Sequence, residues 1–86
     1  MQFIYSRRFK KEFSLSPAKI QKMVEARLII FSQNTNHPIL NNHFLAGEYS
    51  DCRSINITGN YRIILQIIDD NICYLIALGT HSKLYE

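Results

Sequence analysis

A chain of 86 residues makes one small domain, here taken as residues 1–86, which buries only about 60% of the surface that its unfolded form exposes. With 47% apolar and 12% aromatic residues it holds enough core-forming side chains to exclude intrinsic disorder. The net charge of +3 points toward a polyanionic partner; no apolar run is long enough to span a bilayer and no signal-peptide pattern opens the chain, so a cytoplasmic protein is expected.

Phe3-Ile4-Tyr5 reads as a short first strand. Ser6 then stands where it can cap a helix that carries Phe9 and Phe13 on one face. Ser16 followed by Pro17 reads as an N-cap and first position of a second helix, whose Ile20, Met23, Val24, Arg27, Leu28 and Phe31 recur at three- and four-residue spacing. Asn34-Thr35-Asn36-His37-Pro38 ends it. Arg7, Arg8, Lys10, Lys11, Lys19, Lys22 and Arg27 all precede residue 35, against Glu12 and Glu25. Such a cluster serves either as the solvated faces of two helices or as a phosphate-attracting surface.

After a polar loop the period changes to that of strands. Residues 53–57, 61–68 and 72–78 alternate, with Thr58-Gly59-Asn60 and Asp69-Asp70-Asn71 as turns, which predicts a three-stranded antiparallel meander. Ile55 and Ile57 must share a face with Tyr61, Ile63 and Leu65, so the first turn has three residues and Ile57 pairs with Tyr61. Asn56 then stands across from Arg62 on the opposite face, near Ser54 and Gln66. The expected fold is α+β, with a two-helix hairpin covering one face of the sheet and a polar, ligand-ready surface on the other. Cys52 and Cys73 are too few and too isolated for a metal knuckle or a disulfide framework and are read as reduced thiols, Cys73 within the core.

The densest group of reactive side chains is Gly79-Thr80-His81-Ser82-Lys83-Leu84-Tyr85, which sets an imidazole, an ammonium and a phenol just beyond the most apolar strand. Together with His43-Phe44-Leu45-Ala46-Gly47, Arg53 and Gly59-Asn60-Tyr61-Arg62-Ile63-Ile64, in this order and over nearly the whole chain, it resembles the RelE/ParE superfamily of bacterial toxins. The Gly-Thr-His ending is most similar to the YafQ and RelE/StbE branches. That resemblance implies an endoribonuclease that cuts mRNA, in the ribosomal A site, without cofactor or metal, and that a cognate antitoxin neutralises in a hetero-oligomer. It aligns His43 and His81 with catalytic histidines of YafQ-like toxins, and Arg62 with a phosphate-holding arginine of RelE-like ones. Tyr85 matches a terminal tyrosine of RelE. Asn56 and Asn60 stand where YafQ-like toxins carry a histidine and an aspartate. A ParE-like toxin, which inhibits DNA gyrase by binding, is the alternative reading of the same scaffold.

Metal-free cleavage of RNA uses the neighbouring 2′-hydroxyl as nucleophile. The protein must remove its proton, stabilise the phosphorane and protonate the departing 5′-oxygen. Histidine suits both proton transfers near neutrality, which nominates His81, as acid, and His43. A planar guanidinium suits the phosphorane, which nominates Arg62 ahead of Arg53, since Arg53 shares the coreward parity of Ile55. Tyr85 is placed to stack on a base and orient the 2′-hydroxyl. Lys83, Asn56, Arg7 and Lys11 complete the candidate RNA ligands. His37 has the same chemistry as His43 and stands as its rival.

Overall fold

The computed structural model describes residues 1–85. Its elements are β1 (Gln2–Tyr5), α1 (Arg7–Leu15), α2 (Ala18–Gln33), β2 (His43–Phe44), β3 (Arg53–Asn56), β4 (Tyr61–Asp69), β5 (Ile72–Thr80) and α3 (His81–Leu84), with 3₁₀ turns at Pro38–Leu40 and Gly47–Tyr49. The strands form one sheet in the order β1-β5-β4-β3-β2. β1 runs parallel to β5, and the other neighbours are antiparallel.

The α+β meander follows the expected register. Asn56 pairs with Arg62, and the Ile57 N–H donates to the Tyr61 carbonyl at 2.9 Å. The turn is built by Thr58, whose hydroxyl accepts from the N–H groups of Asn60 and Tyr61 at 3.2 and 3.1 Å. At the next turn the Asp69 carboxylate accepts from the Asn71 N–H at 2.7 Å. Odd-numbered Ile55, Ile57, Ile63 and Leu65 meet Phe9, Ile20, Val24, Leu28 and Phe31 in the main core, together with Cys73, Leu75 and Leu78. β5 changes parity because it carries a bulge: Ile64 pairs with Ala77 while Leu65 pairs with Leu75. Leu78 therefore joins the core, and Ala77 and Gly79 turn toward the opposite face.

Several details differ from the sequence-based expectation. The sheet has five strands, because the two-residue β2 extends its edge, and the chain closes with a third helix, α3. Thr80 starts that helix by accepting from the Lys83 N–H at 3.3 Å. Ser16 does not cap α2: it ends α1, where its hydroxyl donates to the Glu12 carbonyl, and Pro17 takes the cap position without a side-chain bond. The second sheet face is not uniformly polar either. Ile64 and Ala77 are buried there beneath Cys52 and Leu84, with Leu45 and Tyr49 packed alongside, so a small second core floors part of that face.

β1 ends at Tyr5, halfway along β5, and α1 satisfies the strand edge beyond it. The Ser6 N–H donates to the Leu75 carbonyl at 2.9 Å, and its hydroxyl donates to the Ile76 carbonyl while accepting from the Phe9 N–H. One turn later Glu12 Oε1 accepts from the Leu78 N–H at 3.0 Å. No helix among the described residues is long and apolar enough to cross a membrane.

Candidate active site

Two rows of side chains cross the second face of the sheet. One runs from His43 through Ser54 and Ile64 to Ala77, and the other from Asn56 through Arg62 to Gly79. α3 closes one end of the rows, and the chain around β2 closes the other. Between them lies a cleft of about 470 Å³ lined by Asn41, His43, Ser54, Arg62, His81 and Tyr85, together with the apolar Leu45 and Ala46.

Each group is held by its own local geometry. Asn41 adopts the left-handed conformation at φ 45°, which asparagine tolerates, and its carbonyl lies 2.8 Å from His43 Nδ1. A carbonyl can only accept, so Nδ1 carries the proton, and in the neutral form of the ring the lone pair is the one at Nε2. Arg62 is half-buried, and its Nη1 donates to the carbonyls of Thr58, Gly59 and Tyr61 at 3.0, 3.0 and 3.2 Å. It pairs with no carboxylate among the described residues. The same turn anchors α3, because the His81 N–H donates to the Asn60 carbonyl at 3.0 Å.

The His81 ring lies 4.8 Å from that of Tyr85, tilted by 55°, and Tyr85 meets Tyr49 edge-on at 6.5 Å. The Tyr49 hydroxyl accepts from Arg8 Nη1 at 3.2 Å, and Arg8 Nε pairs with Glu12 at 3.3 Å. The bond with Tyr49 holds the Arg8 pKa above its ordinary value; desolvation opposes it and the charge of Glu12 adds to it. A continuous line of contacts thus joins α1 to the aromatic end of the cleft. Ser54 Oγ and Asn56 Oδ1 are buried without a hydrogen-bond partner among the described residues.

The remaining nominated residues lie elsewhere. Arg53 points to the helix side of the sheet, as its parity predicts, and its guanidinium covers the Phe44 ring. Lys83 lines a separate cleft of about 210 Å³ with Glu12, Ser16 and Tyr61. Arg7 and Lys11 are exposed on α1, outside the cleft. The Nδ1 of His37 accepts from the Ile39 N–H at 3.1 Å and caps the 3₁₀ turn. Sequence reading did not single out Asn41, Tyr49 or Arg8. Asparagine just before His43 and the i,i+4 spacing of Arg8 and Glu12 were the available signals.

The fold is that of small bacterial and archaeal toxins. YafQ from Escherichia coli BL21(DE3) superposes with a TM-score of 0.85 at 17% identity, covering 99% of this chain and 98% of that one. A YoeB/ParE toxin from Agrobacterium tumefaciens gives 0.80 at 11% identity, covering 94% and 99%. A chain of the RelB-RelE antitoxin-toxin complex from Methanococcus jannaschii gives 0.72 at 21%, covering 95% and 94%. No curated protein matches the sequence significantly. The family model described as "Bacterial toxin of type II toxin-antitoxin system, YafQ" matches residues 1–86, and the chain belongs to that family. It is a toxin of a type II toxin–antitoxin system.

Proposed function

We propose that this toxin is a metal-independent endoribonuclease that cuts mRNA by attack of the neighbouring 2′-hydroxyl. The observation that carries the reading is the convergence of His43, Arg62, His81 and Tyr85, from three separate parts of the chain, on one cleft. In this mechanism His43 Nε2 removes the 2′-hydroxyl proton, for which its Asn41-held tautomer leaves the lone pair free. Arg62 donates to the non-bridging oxygens of the phosphorane from the guanidinium nitrogens that do not bind the turn. His81, protonated, returns a proton to the departing 5′-oxygen, and the Tyr85 ring stacks on a base and orients the ribose. The substrate is mRNA in the ribosomal A site, with the exposed cations of α1 and α2 drawn to RNA phosphates. The protein acts in the cytoplasm, and a cognate antitoxin neutralises it by binding.

Induced expression of wild type against His81→Ala, with mapping of 5′ ends on cellular mRNA, tests the mechanism. New ends are expected with wild type, falling about 10²-fold or more with the variant, as for loss of a general acid. Cleavage undiminished by the substitution would remove His81 from the chemistry. Growth arrest without new ends would move the protein to the binding-only, ParE-like class.

A further inference from the structure

We propose that Phe44 and Arg53 form a stacking platform for one unpaired RNA base next to the cleaved bond, an inference that rests on the RNA-cleaving reading above. β2 consists of His43 and Phe44, and successive side chains of a strand point to opposite faces. His43 turns into the cleft, so Phe44 turns over the sheet edge to the other side. There the guanidinium carbon of Arg53 lies 3.8 Å from the Phe44 ring centroid, while Arg53 Nη1 donates to Asn42 Oδ1 at 3.2 Å. The ring is thus oriented from one face by a cation that is itself held.

Phe44 remains 66% exposed, exceeded only by Leu15 among the large apolar side chains of the described residues. With one ring face covered by Arg53, that exposure belongs to the other face and the ring edge. A flat apolar face backed by a fixed positive charge fits a ligand that is both planar and anionic. An unpaired nucleotide has both properties, and single-stranded RNA is bound through bases laid on aromatic rings and arginine planes. No carboxylate among the described residues pairs with Arg53, so its charge stays available to the adjoining phosphate.

Placement gives the platform a mechanistic use. His43 and Phe44 are consecutive in β2, so the platform lies just around the sheet edge from the cleft, on its other face. An RNA strand leaving the cleft over the short β2 edge delivers the base beside the cleaved bond to Phe44, while the neighbouring base meets Tyr85 at the far end. Holding the two bases apart unstacks them and frees the ribose to bring its 2′-hydroxyl in line with the phosphate. Arg53 then acts on the base and its phosphate from outside the cleft, leaving the phosphorane to Arg62.

The test is position-specific fluorescence. The toxin carrying His81→Ala, to prevent turnover, is mixed with single-stranded RNA, free and on programmed ribosomes, with 2-aminopurine at one position at a time. Quenching is expected at one nucleotide flanking the cleavage site. It should disappear with Phe44→Leu and persist with Phe44→Trp, and Phe44→Leu should bind the RNA about tenfold more weakly. Arg53→Gln, which keeps the ring, should weaken both quenching and binding. Thermal melting of each variant separates these effects from misfolding. Absence of position-specific quenching, or quenching unchanged in Phe44→Leu, overturns the platform. So does an unchanged RNA signal accompanied by weaker antitoxin binding, which would assign the pair to a protein interface. The readout is independent of cleavage: wild type that cuts while quenching ignores Phe44 loses the platform alone, whereas Phe44-dependent quenching without any cutting by wild type removes the nuclease reading.

Discussion

Arg62 commits one terminal nitrogen to three carbonyls of the turn that carries it, and this is what makes it unlike a lysine at the same place. These bonds tie the guanidinium to the turn through Nη1, and the side chain as a whole lines the cleft. An ammonium keeps the charge but cannot hold the turn and grip two phosphate oxygens at once. Arg62→Lys should therefore lower kcat about 10²-fold, with a much smaller change in KM, as for removal of one preorganised donor. Activity within a few-fold of wild type would show that charge alone suffices there. Cys73 makes a different residue-scale prediction. Burial pushes its thiol from 9.0 up to about 12. Because the folded state holds the proton more tightly than the unfolded chain, this group's contribution to stability is complete below pH 9 and is lost as pH rises toward 12. Urea midpoints measured across that range should fall, and less so in Cys73→Ala; identical profiles for the two proteins would contradict the burial assignment.

At the scale of elements, α1 serves β5 as a substitute neighbouring strand. β1 stops at Tyr5, and the polar edge of β5 beyond it is met by Ser6 and by the Glu12 carboxylate rather than by another backbone. Glu12→Ala leaves the half-buried Leu78 N–H without its acceptor and should cost about 1–3 kcal/mol. Loss of the Arg8 pair adds little, since Arg8 is largely exposed. Chemical denaturation should show a lower midpoint at an unchanged slope, and a wild-type midpoint would mean that the N–H finds another partner. The meander was legible in the sequence because the parity of Ile55, Ile57, Tyr61 and Ile63 admits only an odd turn, so Asn56 and Arg62 met as expected. β2 was not, since two residues carry no period. Nor could alternation say what lies over Ile64: Cys52 and Leu84 reach it from segments distant in sequence. The same limit applies to the cleft. The nature of His43, Arg62, His81 and Tyr85 was readable from chemistry and resemblance, whereas the Asn41 carbonyl that sets a tautomer and the Tyr49 hydroxyl that reaches Arg8 exist only through tertiary contacts.

For the molecule as a whole, charge and chemistry are separated along the chain. Seven cations precede residue 35, while every cleft-lining group follows residue 40. Arg7 and Lys11, one turn apart on α1, are exposed and stand outside the cleft. Phosphate contacts made by such residues attract RNA of any sequence, because the contacted group is the same in every nucleotide. Each contact also releases condensed counterions, so that for single-stranded RNA the logarithm of affinity falls with the logarithm of salt concentration by about 0.7 per neutralised phosphate. Replacing Arg7 and Lys11 by glutamine should therefore flatten the salt dependence of RNA binding by about 1.4 in slope, if each residue contacts one phosphate. The loss should be equal for RNAs of different sequence, and the position of the cut should stay fixed. Phe44→Leu should do the reverse, weakening binding by a similar factor at every salt concentration because it removes stacking and no charge. Titrations at several salt concentrations distinguish the two surfaces: an unchanged slope in the α1 variant would mean that RNA is held by the cleft and the β2 edge alone, leaving the cationic helix as a solvated face.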